Sequence, residues 1–355
     1  MTEQPARNSN VIIGLAALVV VIYGMQAASV LLVPFLVAVF LALIAVRPLL
    51  WMQSKRIPAI VAALVIIIII VLILSIIVAM LAASLADFTA AMPSYQARLE
   101  SLVTNTGKFL ADIFGKNLYF ESLNDVIDPG AAMRIIAMML NSVREVMTNI
   151  FLIVLTLVFI LLEASSMPTK ISAALLGHGE FANEESLEQT RLFLDNLGRY
   201  LGIKTLTSMT TGMLIGLLAW GIGLDFPLLW AMLAFLLNYI PTIGSIIAAI
   251  PAILLAVVQL GFSEAAVVAA GFLGINTLLG NFLEPRMMGF GVGISPLIVF
   301  IGLFFWGWVF GPVGMLLSVP LTMMLKMAVE SDERTRWIGM LIGTERDAEF
   351  ALERW

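Results

Sequence analysis

The sequence contains no cysteine, a single histidine and few charged side chains. The absence of cysteine excludes a disulfide framework, thiolate chemistry and cysteine-ligated metal sites. His178, the one histidine, cannot by itself supply a catalytic triad or a multi-histidine metal site. No phosphate-binding loop of the form GxxxxGK followed by serine or threonine occurs, so ATP-driven transport by this chain alone is not indicated. We therefore expect a protein that is not an enzyme and that needs neither metal nor cofactor.

The composition indicates an integral membrane protein. Charged residues make up 12% of the chain and apolar residues 61%, with a mean hydropathy of +1.04. A soluble domain carries about 25% charged residues. No basic patch points to nucleic acid, so the expected surroundings of the chain are a lipid bilayer.

Seven stretches without a charged side chain define the candidate spans. Because a helix needs about 20 residues to cross a bilayer, the first, fifth and last stretches are long enough for two passes or a hairpin each. Pro34 is expected to divide the first stretch. We predict an all-α, polytopic membrane protein with about six to eight spans. The stretches are 11–46, 57–86, 146–162, 205–224, 226–263, 265–283 and 287–325.

Lysine and arginine predict the orientation, because cytoplasmic loops are enriched in these residues. Arg7 precedes the first stretch, and Arg47, Lys55 and Arg56 follow it in a short loop without acidic residues. Both flanks therefore belong in the cytoplasm. Only five of the 19 basic residues lie in 87–145, which this topology places outside. Both termini are predicted to be cytoplasmic.

The same topology divides the chain into six segments. The polar segments show apolar residues at helical spacing and are predicted to be amphipathic helices. The segments are N-terminal spans in 1–86, an extracytoplasmic amphipathic helical segment in 87–145, a span in 146–162, a cytoplasmic amphipathic helical segment in 163–204, a membrane transport core in 205–325 and a cytoplasmic tail in 326–355.

Two long charge-free stretches are interrupted by proline and glycine. The stretch 226–263 contains NYIPTIGS at 238–245, and the stretch 287–325 contains FGPVG at 310–314. Irregular backbone survives at membrane depth only where it is buried in protein or lines a cavity. We therefore expect two broken hairpins that line a transport path.

The two broken hairpins show signs of an internal repeat. Pro227 is followed 24 residues later by Pro251, and Pro296 is followed 24 residues later by Pro320. One span separates the two copies, so the second copy enters the membrane from the opposite side. Inverted repeats with broken helices are a recurring transporter design. The alternative is that two apolar segments of limited alphabet align by chance.

Polar and small residues at the breaks and on the span between them are candidates for a substrate path or gate. Their side chains could hydrogen-bond a hydroxylated solute, or they could satisfy backbone amides that the breaks leave unpaired. For the two asparagines on the intervening span, interhelical hydrogen bonding is the alternative. The candidates are Asn238, Tyr239, Pro241, Thr242, Gly244, Ser245, Asn276, Asn281, Gly311, Pro312 and Gly314.

Four charged residues near the ends of the spans are candidates for ion coupling. Glu284 and Arg286 form an opposite-charge pair joined by Pro285. A carboxylate at the bilayer centre costs roughly 2.5 to 3.5 kcal/mol on insertion scales, so such groups usually pair or serve an ion path. If the pair only marks the inner interface, it is an anchor and a turn. Asp225 and Glu264 are expected at the outer interface.

Gly212 and Gly216 form a GxxxG motif in the stretch 205–224. This motif lets two helices approach closely in a membrane. We expect it to pack against another helix and not to contact a ligand.

Three motifs resemble signatures of the AI-2E family, the autoinducer-2 exporter superfamily. They are NYIPTIGSIIAAIP at 238–251, GNFLEPRMMG at 280–289 and FWGWVFGPVGMLLSVPLT at 305–322. The resemblance implies an α-helical protein of the bacterial inner membrane. It also implies a homo-oligomer, with a pentamer as the family's architecture, that exports a small furanone-type signal. Other family members resemble sodium/proton antiporters, so the resemblance does not fix the substrate.

Three functions remain open from the sequence. The first is secondary export of autoinducer-2, a quorum-sensing signal, or of a similar small polar solute, along the broken hairpins. The second is exchange of a monovalent cation such as Na⁺ for protons, which should depend on Glu284, Asp225 or Glu264. The third is a membrane scaffold without transport, for which every hairpin substitution should be without effect.

Overall fold

The structure, a computed structural model, is entirely helical in its regular elements. It describes residues 4–114, 149–164, 184–288, 293–330 and 335–344, together with Ser166, Lys170 and Ala173. Every regular element in these ranges is a helix. The predicted all-α class is therefore confirmed. The predicted segments 87–145, 163–204 and 326–355 lie partly outside the described residues.

Twelve helices and one π-helical turn follow one another along the described chain. The first six helices are α1 (Gln4–Ala27), α2 (Ser29–Ser54), α3 (Ala59–Phe114), α4 (Ile150–Ala164), α5 (Glu184–Ile222) and α6 (Pro227–Leu237). They are followed by α7 (Ile243–Gln259), α8 (Phe262–Asn276), the π-helical turn (Thr277–Leu283), α9 (Glu284–Met288), α10 (Pro296–Leu316), α11 (Ser318–Glu330) and α12 (Arg336–Ile342).

The protein is a polytopic membrane protein. Five described helical segments are long and apolar enough to cross a bilayer: Ser29–Ser54, Ala59–Tyr95, Leu192–Ile222, Phe262–Met288 and Pro296–Leu316. Shorter apolar helices accompany them at Ala16–Ala27, Ile150–Ala164, Pro227–Leu237 and Ile243–Gln259.

The first apolar stretch is divided at Ala28, and the prediction that Pro34 divides it is wrong. Pro34 lies inside α2, and α2 begins at Ser29. A proline ring clashes with the carbonyl four residues earlier, which here is Val30. The strain therefore falls on the chain before the proline, and the helix break lies at Ala28, close to Val30.

Four predicted segment boundaries fall inside continuous helices. The boundaries 86/87, 162/163, 204/205 and 325/326 lie within α3, α4, α5 and α11 respectively. At each of them a charged residue meets a charge-free stretch. A charged side chain on a helix surface does not end the helix, because its charge can reach water or an opposite charge.

The contacts divide the chain into two compact units. The first unit comprises 1–67, 149–198 and 292–355, and the second comprises 68–148 and 199–291. In the first unit α2 packs against α4, and α10 packs against α11. In the second unit α7 packs against both α6 and α8 around a core that includes Phe88, Trp230 and Phe272.

The GxxxG motif packs where it was expected to pack, against a neighbouring helix of the second unit. A Cβ atom added at Gly212 would lie 2.7 Å from the Ala231 carbonyl oxygen and 2.9 Å from the Cβ of Phe235 on α6. At Gly216 the added atom would lie 2.9 Å from the Cβ of Ala231. All three distances are too short for a real side chain, so only glycine allows α5 and α6 this close approach.

Each predicted hairpin is broken, and the two breaks share a local geometry. In the second unit, residues 238–242 separate α6 from α7, and a Cβ atom added at Gly244 would overlap the Leu237 carbonyl oxygen. In the first unit, α10 is kinked at Gly311, and a Cβ atom added at Gly314 would overlap the Trp306 carbonyl oxygen. The shared contact supports a repeat. The inversion of one copy relative to the other stays a prediction.

Candidate functional site: a buried polar strip on helix α5

Four buried polar side chains lie on one face of α5. Lys204, Thr207, Ser208 and Thr211 have relative exposures of 6%, 2%, 0% and 2%. Their spacing of three and four residues places them on the same side of the helix. We call these four residues the polar strip. A polar group buried in an apolar span is costly unless it is hydrogen-bonded, so each of them needs a partner.

Two threonines of the strip bond back to their own helix. The Thr207 hydroxyl donates to the Lys204 carbonyl oxygen at 3.1 Å, and the Thr211 hydroxyl donates to the Thr207 carbonyl oxygen at 2.9 Å. A hydroxyl oxygen that donates to the helix can still accept a bond through its lone pairs. The strip therefore presents hydroxyl oxygens along the buried face of α5.

A buried ion pair joins the strip to the segment after the π-helical turn. The Lys204 ammonium donates to both carboxylate oxygens of Glu284, at 2.8 and 3.0 Å. The two side chains are only 7% and 13% exposed. The Thr207 hydroxyl lies 3.3 Å from Glu284 Oε2. The carboxylate is therefore held by the Lys204 ammonium and lies beside the Thr207 hydroxyl, whose single hydrogen can be donated either to it or to the Lys204 carbonyl oxygen.

The sequence pairing of Glu284 with Arg286 is corrected by this contact. Arg286 is exposed on the short helix α9, whereas Lys204 is 80 positions away in the sequence from Glu284. Residues two apart on a helix point in different directions, so Glu284 and Arg286 lie on different sides of α9. The sequence reasoning also missed Lys204 as a site residue. The signal that could have found it is the helical spacing of Tyr200, Lys204, Ser208 and Thr211.

The break of the first hairpin brings two predicted candidates to α5. The Asn238 amide donates to the Ser208 hydroxyl at 2.9 Å, and the Tyr239 hydroxyl donates to the Thr205 hydroxyl at 2.8 Å. Tyr239 is buried, with 7% of its surface exposed. The irregular backbone thus places two polar side chains against the helix that carries the strip.

The other candidates of this break shape the turn. Thr242 has a positive φ of 60°, and the Ile243 amide donates to the Pro241 carbonyl oxygen at 2.6 Å. The Ser245 hydroxyl donates to the Thr242 carbonyl oxygen at 3.2 Å. Gly244 is required by the close approach of the Leu237 carbonyl oxygen. These residues hold the backbone that positions Asn238 and Tyr239.

A π-helical turn precedes Glu284 directly, and sequence reasoning did not predict it. The Glu284 amide donates to the Leu279 carbonyl oxygen, five residues earlier. Turns of this kind are rare and frequent at functional sites. Asn276 donates to the Phe272 carbonyl oxygen of its own helix at 2.8 Å, and Asn281 is exposed.

Asp225 and Glu264 lie apart from the polar strip. Lys204 and Ile222 are 18 residues apart on α5, which is about 27 Å along the helix axis. Asp225 follows that end of α5, and its carboxylate accepts a 2.5 Å hydrogen bond from the Tyr95 hydroxyl. Glu264 lies in the first turn of α8, where the Ser263 hydroxyl donates to it. Neither carboxylate joins the Lys204–Glu284 pair.

Asp225 anchors the loop that leads into α6. Its amide donates to Gln259 Oε1 at 2.8 Å, and its carbonyl oxygen accepts a bond from the Trp230 indole at 2.8 Å. The Gln259 amide group donates in turn to the Gly223 carbonyl oxygen at 3.0 Å. Through these bonds Asp225 ties the loop after α5 to α6 and α7, and its part in ion coupling stays a prediction.

The candidates of the second hairpin belong to the first unit. Gly311 has φ 65° and ψ −151°, a backbone conformation that glycine adopts much more readily than other residues. Pro312 follows it and is exposed. Further along the hairpin, the Trp306 indole donates to the Thr322 hydroxyl at 3.1 Å, and that hydroxyl donates to the Ser318 carbonyl oxygen at 2.7 Å.

The site offers hydrogen-bonding groups and a buried ion pair. Among the described residues, no group of three or more histidine, aspartate or glutamate side chains could hold a metal ion. The strip, Glu284, Asn238 and Tyr239 supply donors and acceptors in an otherwise apolar span. This chemistry suits a small polar solute or a monovalent cation.

Known proteins resemble the chain over nearly its whole length. The family model described as "AI-2E family transporter" matches residues 15–333. The AI-2 transport protein TqsA of Escherichia coli K12 is 37% identical over 333 residues, which is 94% of this chain and 95% of that protein. A "Putative transport protein" of Haemophilus influenzae is 37% identical over 337 residues, 95% of this chain and 97% of that protein.

Proposed function

The chain belongs to the AI-2E family of transporters, and on that premise we propose that it exports autoinducer-2 or a similar small polar solute as a secondary transporter. The name of the relative TqsA supports the choice of solute, since it is an AI-2 transport protein. The observation that carries the proposal is the buried polar strip of α5, where Asn238 from a broken hairpin bonds to Ser208, beside the bond from Tyr239 to Thr205 of the same helix.

The strip supports this function because its groups are matched to a polar solute. Each hydrogen bond of the site joins two protein groups. A solute hydroxyl or carbonyl can take the place of one partner in such a bond. Such an exchange keeps the buried groups paired, whereas an apolar solute would leave them unpaired at a cost of about 1 to 3 kcal/mol each. The site therefore favours a small solute with several hydroxyl or carbonyl groups.

The test is uptake of labelled autoinducer-2 into everted membrane vesicles that contain the protein. Everted vesicles turn export into uptake, and empty vesicles provide the baseline. Saturable uptake above this baseline is expected. An imposed proton gradient should change its rate if export is coupled to protons. No excess uptake in vesicles that contain folded protein contradicts the proposal.

Asn238→Ala tests the role of the hairpin break in the same assay. Loss of one hydrogen bond of about 1 kcal/mol should weaken the apparent affinity roughly fivefold. Ser54→Ala is the control, because in the described contacts the exposed Ser54 hydroxyl bonds only to the Trp51 carbonyl oxygen of its own helix, α2. Uptake by Asn238→Ala equal to that of Ser54→Ala and of the unchanged protein would contradict a role of Asn238 in binding the solute.

A second candidate function is exchange of Na⁺ for protons, which the Lys204–Glu284 pair favours. A carboxylate in an apolar span is a common element of an ion path. In vesicles that hold a preset pH gradient, added Na⁺ should then dissipate the gradient. Glu284→Gln should abolish the effect, with the assembly intact. Na⁺-dependent dissipation without autoinducer-2 uptake would select this function over the first.

Location and assembly complete the proposal. We place the protein in the bacterial inner membrane with both termini in the cytoplasm, and we expect several copies to form a homo-oligomer, a pentamer by the family resemblance. Light scattering of the purified protein in detergent measures the number of copies. A monodisperse monomer would contradict the oligomer.

A further inference from the structure

Helix α5 holds the segment Glu284–Met288 at two points. The stronger point is the ion pair between Lys204 and Glu284, with N–O distances of 2.8 and 3.0 Å. The second is a long hydrogen bond of 3.5 Å from the Arg199 guanidinium to the Met287 carbonyl oxygen. The orientation of this short segment therefore depends on α5 as well as on its own backbone.

The backbone directly before Glu284–Met288 forms a π-helical turn, which is a rare conformation for a helix. In the π-helical turn the Glu284 amide bonds five residues back, to Leu279, where an α-helix bonds four residues back. Gly280 and Asn281 lie inside the turn, and both have low helix propensity. A rare, weakly favoured turn persists when its surroundings hold it in place.

The geometry of the turn links its conformation to the direction of Glu284. A π-helical turn contains one more residue than an α-helical turn. If the turn relaxes to α-helix, each following residue rotates by about 100° around the axis. Glu284 would then point away from Lys204, and a residue next to Glu284 in the sequence would face α5.

We propose that the Lys204–Glu284 pair holds the π-helical turn, and that the turn converts to α-helix and rotates Glu284–Met288 when the pair opens during transport. Lys204 is a positioning residue in this step. The inference rests on the proposed function, because the transported solute, by bonding to the strip, is what opens the pair in the working protein.

The groups around Glu284 are consistent with such a switch. On α5 the charged or titratable groups near it are Lys204, Tyr200 and Arg199, and on its own helix Arg286 is exposed. Tyr239 approaches from the broken hairpin and bonds to Thr205. A solute that bonds to the strip therefore competes with the same side chains that keep Glu284 in place.

Distances between spin labels test the rotation in the full-length protein, which has no native cysteine. Leu206 and Arg286 are exposed on α5 and α9, so Leu206→Cys with Arg286→Cys reports across the turn. Leu206→Cys with Leu273→Cys is the matched control, because Leu273 is exposed and precedes the turn. Labelled protein is diluted with unlabelled protein so that only distances within one chain are measured.

The expected result is a shift confined to the label after the turn. A side chain about 5 Å from the helix axis moves by up to about 8 Å in a rotation of about 100°. Glu284→Gln and Lys204→Met should shift the 206–286 distance by several Å and leave the 206–273 distance unchanged. Lys204→Arg should keep the original distance. Deletion of Gly280 removes the extra residue of the turn, so it should keep the original distance and should also prevent the shift caused by Glu284→Gln, whereas Gly280→Ala should not prevent that shift.

Several outcomes would overturn the proposal. One is an unchanged 206–286 distance in Glu284→Gln with the turn complete, because the pair would then not hold the turn. Another is a Glu284→Gln shift that persists after deletion of Gly280, or an equal shift at position 273. If the charge variants do not fold, the labelled protein that keeps Lys204 and Glu284 provides the test. Saturating autoinducer-2 should add a second 206–286 distance in this protein. A single unchanged distance counts against the proposal.

Vesicle uptake measured in parallel separates this inference from the proposed function. Uptake of autoinducer-2 with no distance shift in Glu284→Gln leaves the function standing and overturns the switch. A shift in Glu284→Gln in a protein that takes up no autoinducer-2 leaves the switch standing and overturns the choice of solute.

Discussion

At the scale of single residues, the Lys204–Glu284 pair is a costly feature for the second unit to bury. Both side chains are almost fully buried, at 7% and 13% exposure. Removing two charges from water costs free energy. This cost is offset only when the charges pair closely and their remaining donors and acceptors are also hydrogen-bonded. Thr207 supplies one such additional contact. A group so expensive to bury is a natural candidate for a role in transport.

Removal of one partner should destabilise the protein strongly. Lys204→Met leaves Glu284 as a buried, unpaired carboxylate, so the free energy of unfolding should fall by about 3 to 5 kcal/mol. The double variant Lys204→Met with Glu284→Gln should regain a large part of this loss, because no unpaired charge remains. Unfolding by SDS in mixed micelles measures both values.

The exposed pair of Lys170 and Glu163 is the control for this prediction. These two side chains are 61% and 44% exposed. A surface ion pair contributes at most about 1 kcal/mol, so Lys170→Met should change the free energy of unfolding by no more than that. A Lys204→Met loss as small as the control loss would show that the buried pair adds little.

Lys204 was missed because charges were used to mark the ends of apolar stretches. Its partner Glu284 is 80 positions away, and no local pattern predicts such a contact. Asn238 and Tyr239 could be found, because proline and glycine mark a break and polar groups at a break need partners. The sequence alone could not show that Ser208 and Thr205 are those partners, since that depends on how α5 packs.

At the scale of elements, the two hairpin breaks depend on a glycine that follows each proline. In both breaks a carbonyl oxygen from the preceding helix occupies the position that a Cβ atom would need. The sequence could predict where each hairpin breaks, because proline and glycine disfavour a regular helix. It could not predict the π-helical turn at Thr277–Leu283, because Gly280 and Asn281 lower the helix propensity without indicating which other conformation the chain adopts.

Alanine at either glycine should disrupt its hairpin. Gly244→Ala and Gly314→Ala place a methyl group on the backbone oxygens of Leu237 and Trp306, and backbone cannot move aside as a flexible side chain can. We expect a lower unfolding temperature and less monodisperse protein on size-exclusion chromatography. Gly274→Ala is the control: it meets no atom within 4 Å, and alanine in a helix is favoured over glycine by roughly 0.5 to 1 kcal/mol. Equal behaviour of all three variants would contradict the prediction.

The contact of α5 with α6 should be similarly sensitive to added volume. Gly212→Ala would put a methyl group 2.7 Å from the Ala231 carbonyl oxygen, which forces the helices apart. Overpacking of this kind costs typically about 1 to 3 kcal/mol. Gly202→Ala on the same helix meets nothing within 4 Å and is the control. The two free energies of unfolding, measured in mixed micelles, should differ by that amount, and a smaller loss for Gly212→Ala than for Gly202→Ala counts against close packing.

At the scale of the whole molecule, membrane class and helical content followed from composition, whereas the division into two compact units did not. The apolar stretches predicted spans because hydrocarbon accepts only backbone with satisfied hydrogen bonds. The units are assembled from segments far apart in the sequence, 1–67 with 149–198 and 292–355 in one, and 68–148 with 199–291 in the other. Long-range packing of this kind leaves no local signal.

Orientation is a property of the whole chain and can be tested with single cysteines. Ser54 lies at the end of α2, in the basic loop predicted to be cytoplasmic, and Ser263 lies beside Glu264, predicted to be outside; both are exposed. In the chain, which has no native cysteine, a membrane-impermeant maleimide should label Ser54→Cys only in everted vesicles. It should label Ser263→Cys only in right-side-out vesicles, because basic loops remain in the cytoplasm. The reverse pattern would place Lys55 and Arg56 outside and would contradict the predicted orientation.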